Sequence, residues 1–148
     1  MGEIALKRNI SLLQLSKIAE KDSSVDKELD DAQVEFGKNN DNFVLDSRLG
    51  WYFVPDAFKI FLTVDLDVAA QRIFNDPRED EKENTTLQAT KEGILRRRKS
   101  EFMRYKNYYG VDLEKRNNYD LIIDTSKLNP QLILDNILAV LRKHNYIS

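Results

Sequence analysis

The sequence contains no cysteine. That excludes disulfides, thiol nucleophiles and thiolate metal sites at once. It has one histidine, His144, in the last turn of an apolar C-terminal stretch, where it reads as a helix-end cation. No apolar run approaches the about 18 residues that cross a bilayer. The opening MGEIALKRN has no hydrophobic centre of a secretion signal. A cytoplasmic location is the expectation that remains. Charge of one sign is lacking too: 23 Lys and Arg stand against 25 Asp and Glu, a net charge of -2. No global field therefore draws the chain onto nucleic acid or an anionic membrane. Only five glycines occur, at 2, 37, 50, 93 and 110, and no G-x-x-x-x-G-K-[S/T] can be built from them. What is present is a 148-residue mixture, 41% hydrophobic and 32% charged, sufficient to bury a core.

Local signals lay out α and β segments in alternation. Ser11 and Gln14 pair as a capping box ahead of Leu12, Leu15, Ile18 and Ala19, predicting a helix over 11–21. Ser23 or Ser24 opens a second helix, with Val25, Leu29, Ala32 and Phe36 on one face and Gly37 as its end. Three short apolar runs, 42–46 (NFVLD), 58–64 (FKIFLTV) and 119–124 (YDLIID), predict buried parallel strands. Asp65 caps the helix after the second run, which turns Val68, Ala69, Ile73 and Phe74 inward. Asn129 and Pro130 open the last helix, whose stripe is Ile133, Leu134, Ile137, Leu138 and Leu141. Between them lie a charged loop at 76–84 (DPREDEKEN) and a long polar helix from Thr86 to about Asn107. A mobile lid over a charged ligand has this composition, and so has a plain surface excursion.

Three features bear on chemistry. Asp46 and Arg48 follow the first strand at the carboxyl edge where open α/β sheets hold ligands. The acid suits a water on a magnesium ion and the guanidinium a phosphate, although an ordinary Asp–Arg loop pair reads the same. Arg97, Glu101 and Arg104, at offsets of four and seven, share one helix face. They can clamp a phosphate chain while the acid accepts from the amine of a base; they can equally form a solvated, internally paired face. The run Arg96 to Lys99 spreads around its helix at about 100° per residue, with acids on both flanks, and makes no nucleic-acid surface.

Five stretches taken together resemble the cytidylate kinases of the short archaeal type: 11–33, 42–51 (NFVLDSRLGW), 56–73, 96–112 (RRRKSEFMRYKNYYGVD) and 119–130 (YDLIIDTSKLNP). The resemblance implies a P-loop nucleoside monophosphate kinase that moves the ATP γ-phosphate to CMP or dCMP with Mg²⁺. The fold implied is α/β, a partial three-layer NMP-kinase fold with a parallel sheet, three of five strands, and a helical lid. In one incomplete domain, 1–37 would be NMP-binding helices, 42–75 core, 76–107 lid and lid helix, and 108–148 core, with the complete protein a monomer. On this resemblance Asp46 lies near the NMP and metal, the latter only through water. Arg48 contacts phosphate, Arg72 stands on the ATP side, Arg97 and Arg104 grip donor and acceptor phosphates, Glu101 reads the base, and Lys27 contacts base or phosphate.

The departures from that family are as informative. The loop that brings backbone N–H groups and a lysine to the β- and γ-phosphates has no counterpart. Nor has an early arginine of the NMP helix. A strand, loop, helix and second strand, about 30 residues or more, are expected ahead of Met1, so the sequence reads as a truncated product or a start placed too late. The family's strand order, 2-3-1-4-5, would leave NFVLD and FKIFLTV without their shared neighbour. The reading is thus a CMP or dCMP kinase inactive as these residues alone. The rivals are a non-catalytic remnant that binds NMP or a protein, and a different P-loop small-molecule kinase.

Overall fold

A computed structural model describes residues 2–76 and 85–147. Helix α1 (Gly2–Lys7) leads into α2 (Leu12–Ala19), where the predicted capping box forms. Ser11 Oγ accepts from the Gln14 N–H at 3.1 Å, and Gln14 Oε1 accepts from the Ser11 N–H at 2.9 Å. Helix α3 (Ser24–Asn39) follows, then the single turn α4 (Gly50–Phe53) and strand β1 (Ile60–Thr63). Helix α5 (Leu66–Asn75) is capped by Asp65, which accepts from the N–H groups of Asp67 and Val68. The long α6 (Leu87–Tyr109) begins at a Thr86 cap and ends at Gly110, whose φ of 67° lies in the left-handed region that glycine enters freely. Strand β2 (Leu121–Asp124) and α7 (Pro130–Lys143, capped by Asn129) complete the chain.

The two strands pair in parallel, Ile60 opposite Leu121 through Thr63 opposite Asp124. Lys59 O and Thr63 O accept from the N–H groups of Leu121 and Thr125. The alternate residues of β1 therefore aim their backbone groups at the other edge, where Leu62 is 48% exposed. Among the described residues the sheet has these two strands and no third. The strand expected at 42–46 is not there: that segment is irregular, and Val44 is 98% exposed. A strand exists by virtue of its ladder, and apolar residues with no hydrogen-bonded neighbour do not make one.

The small sheet also explains the last helix. None of Ile133, Leu134, Ile137, Leu138 and Leu141 is buried, and Leu134 is 47% exposed. Two strands present too little surface to cover that stripe. Phe74 of α5, expected to face inward, is likewise 39% exposed. Gly37, expected to end the second helix, lies inside α3. A Cβ there would meet a methyl of Val54 at 2.8 Å, so the glycine serves close approach. The buried apolar cluster sits instead among α1, α2 and α3: Ala5, Leu12, Leu15, Ala19 and Val25, with Ile4 and Ile10 against it. Helix α6 joins the two regions, packing on α2 at one side and on α5 at the other. No described helix is long and apolar enough to cross a membrane. The charged loop read as a lid lies outside the described residues from position 77 to 84.

Candidate functional site

The site forms where α3 and the 46–49 loop meet α6. Two details set the loop. Leu49 is 1% exposed and anchors it. Ser47 Oγ accepts from the Leu49 N–H at 3.2 Å and donates to Gln33 Oε1 on α3. Held so, Arg48 reaches across to α6, its Nε 3.3 Å from Glu101 Oε2. Arg97, one turn earlier on α6, places its Nε 4.0 Å from Glu101 Oε1. The carboxylate of Glu101 thus stands between two guanidinium groups and is itself buried, while half of the Arg48 side chain is exposed.

Arg104 turns elsewhere. Its Nε donates to Asp26 Oδ2 at 2.7 Å and its Nη1 to Ser100 Oγ at 2.5 Å. Asp26 is 1% exposed and Arg104 3%. One turn along α3, Asp30 Oδ2 accepts from the Tyr109 hydroxyl, and Asp30 Oδ1 from the Gln33 amide at 3.3 Å. Asp26, Asp30 and Gln33 have offsets of four and seven, the same period as Arg97, Glu101 and Arg104. The two polar stripes meet at the Arg104–Asp26 pair. Among the described residues four buried side-chain atoms lack a hydrogen-bond partner, and two of them, Asp26 Oδ1 and Arg104 Nη2, belong to this one ion pair. A third is Trp51 Nε1, beside an aromatic group in which Tyr52 and Phe53 lie 5.7 and 5.4 Å from the Tyr109 ring.

Burial raises the Asp30 carboxyl above its ordinary value, the Tyr109 hydrogen bond opposes this, and the neighbouring Asp26 adds to it. An acid whose folded value is raised contributes most below its unfolded value, near pH 4, and loses that contribution as pH rises through the folded one. Asp30→Asn, which keeps an acceptor for Tyr109, should remove this loss. Melting curves of the two proteins should diverge in the variant's favour from pH 4 to pH 7; parallel curves would contradict the assignment.

The remaining candidates stand apart. Arg72 donates to the carbonyls of Thr125 and Leu128 just beyond β2, at 2.8 and 3.3 Å, and to Thr125 Oγ1. Lys27 pairs with Asp31 at 2.6 Å on the solvent side of α3. Asp46 is exposed in the loop. Among the described residues no group of three His, Cys, Asp or Glu could hold a metal ion. So Arg48, Glu101 and Arg97 come together with Arg104 one turn away, while Arg72, Lys27 and Asp46 join them through no recorded contact. Sequence reasoning passed over Asp26, Asp30, Gln33 and Tyr109. The matching period on α3 was the available signal.

Comparison with known proteins identifies the family. The model of the cytidylate kinase-like family matches residues 3–127. A protein of Methanobrevibacter smithii named cytidylate kinase is 35% identical over 139 residues, covering 94% of this chain and 77% of the relative. One of Natronomonas pharaonis with the same name is 39% identical, over 93% of this chain and 68% of its own length. One of Sulfolobus acidocaldarius is 34% identical, over 99% and 78%. No solved structure matches the chain. On the extent of the family match and these identities, the chain belongs to the cytidylate kinase-like family.

Proposed function

We propose that this chain carries the acceptor-nucleotide and lid parts of an ATP-dependent cytidylate kinase, built as a partial P-loop NMP-kinase fold, the reaction being transfer of the ATP γ-phosphate to CMP or dCMP. The observation that carries this is the convergence of Arg48 and Arg97 on buried Glu101. Two guanidinium groups from separate elements, held by one carboxylate, are a preorganised anion site. An incoming phosphate takes the place that Glu101 now holds in these two ion pairs. Arg48 orients the acceptor phosphate, and Arg97 meets the charge that develops on the transferring phosphoryl group. Glu101 keeps both arginines placed as the exchange occurs. Arg72 stands on the ATP side, and Lys27 at the nucleotide end of α3.

The donor set fits Mg²⁺ only in part. One exposed carboxylate, Asp46, suits an outer-sphere contact through water, the mode of an ion that keeps several waters and binds substrate phosphates. When bound, the ion would neutralise phosphate charge. The second reading, an NMP-binding protein without phosphotransfer, is favoured by one observation: no G-x-x-x-x-G-K-[S/T] occurs in the sequence.

Calorimetry with CMP, dCMP, UMP and AMP, beside a coupled ATP-consumption assay, tests the reading. CMP binding is expected from these 148 residues, and turnover once a strand, P-loop and helix are joined ahead of them. CMP binding without turnover in the joined protein would favour the second reading. No binding of any nucleotide would end both. Arg48→Ala and Arg97→Ala should each weaken CMP by about tenfold or more, a charge-assisted bond's worth, and leave cytidine unaffected. Equal losses for nucleotide and nucleoside would place these arginines away from the phosphate.

A further inference from the structure

Resting on the reading above, we infer that Tyr109, acting through Asp30 and Gln33, positions Arg48 for the acceptor phosphate. Arg48 has little of its own to hold it. Its side chain is half exposed, and its ion-pair partner is Glu101 at 3.3 Å. An ion pair open to solvent on one side orders a side chain only weakly, so the guanidinium goes where its backbone is held. That backbone is fixed from both flanks. Ser47 Oγ donates to Gln33 Oε1 and accepts from the Leu49 N–H at 3.2 Å. Gly50 allows this approach, since a Cβ there would meet Ser47 Cβ at 3.2 Å. The Gln33 amide has one workable orientation. Its Nε2 donates to Leu29 O at 3.2 Å and to Asp30 Oδ1 at 3.3 Å, which turns Oε1 to the loop. The reversed amide would set its oxygen against two acceptors. Asp30 takes the Tyr109 hydroxyl on its other oxygen. One relay thus runs from the last residue of α6 to the residue before Arg48.

A second route leads from the same tyrosine to the same segment. The Tyr109 ring lies 5.7 Å from that of Tyr52 and 5.4 Å from that of Phe53, the latter edge-on at 90°. Both rings belong to α4, which begins just after the Arg48 loop. About one turn beyond Gln33 on α3, Gly37 admits Val54, the residue that ends α4, with no room for a Cβ. The segment 47–54 is therefore held at one end by the Tyr109 hydroxyl, through Asp30 and Gln33, and at the other by the Tyr109 ring. Helix α6 stops at the next residue, Gly110, with φ 67°. Tyr109 is thus the last residue by which this helix can grip the segment. Arg97 and Glu101 stand on the same helix. It then sets both sides of the phosphate site, Arg97 directly and Arg48 through Tyr109. Partly buried hydrogen bonds in series reinforce one another and favour a single geometry. Two guanidinium groups that converge on one anion need such fixed placement.

The test uses the 148-residue chain with CMP and cytidine, and two variants that cut the relay on either side of Asp30. Tyr109→Phe keeps the ring and removes the hydroxyl. Gln33→Met keeps the length and removes the amide. Without ligand, NMR of the Arg48 Nε–H group should show it ordered beside Glu101 in the unaltered protein, and moved toward the averaged position of a free arginine in both variants. With ligand, each variant should weaken CMP by about threefold to tenfold, one hydrogen bond's worth, and leave cytidine unaffected. In an Arg48→Ala background the same changes should cost CMP nothing further, since their effect travels through that arginine. Circular dichroism establishes that each protein is folded, and either variant suffices where the other unfolds. An Arg48 resonance unmoved in the variants, equal losses for CMP and cytidine, or a CMP loss that persists in the Arg48→Ala background overturns the inference while the proposed function stands. An unaltered protein that binds no CMP ends the proposed function, and the Arg48 resonance then decides the relay by itself.

Discussion

Arg104→Ala should lower the melting temperature by about 10 °C. The guanidinium is 3% exposed and bonds Asp26 at 2.7 Å and Ser100 at 2.5 Å. Truncating it leaves Asp26, 1% exposed, as a buried carboxylate with no cation. Breaking a buried pair from one side costs about 3–5 kcal/mol, and each kcal/mol moves the midpoint of a domain of this size by about 2–4 °C. The cost belongs to the abandoned charge more than to the lost bond. Replacing both partners together, Asp26→Leu with Arg104→Met, should therefore recover most of the loss. Lys27→Ala supplies the contrast: it breaks the pair with Asp31, whose side chains are 72% and 67% exposed, and should shift the midpoint little. Thermal denaturation of the four proteins checks the pattern. A loss of under about 2 °C for Arg104→Ala would mean that water reaches Asp26.

A protein made of these 148 residues alone should show no measurable CMP phosphorylation, even where it binds CMP. The acceptor side of the reaction can be assembled from Arg48, Arg97 and Glu101. The donor side needs backbone N–H groups, a lysine and a hydroxyl around the β- and γ-phosphates, and no segment with that motif occurs in the sequence. Losing one preorganised donor to developing charge costs roughly 10²–10³ in rate, and a whole cradle supplies several. A coupled assay at saturating ATP, Mg²⁺ and CMP measures this directly. Robust turnover would show that another group on this chain holds the donor phosphates.

The local devices of this chain were legible in its sequence. Capping at Ser11, Asp65 and Asn129, the start of the long helix at Thr86 and both observed strands depend on residues within a few positions of one another, whereas the glycine end expected at Gly37 occurs at Gly110 instead. Short-range hydrogen bonds and dihedral preferences carry them, so nearby sequence is enough. The face shared by Arg97, Glu101 and Arg104 was legible for the same reason, since helical period alone places it. Other outcomes waited on what each segment met in space. The run NFVLD has the composition of a strand and no ladder to join. The stripe of α7 has the period of a buried face and too little sheet to cover it. The division of labour among the charges was decided the same way. Glu101 went to Arg48 and Arg97, and Arg104 to Asp26, 78 positions away, because a buried charge settles with whichever counter-charge the packing of α3 on α6 brings within reach.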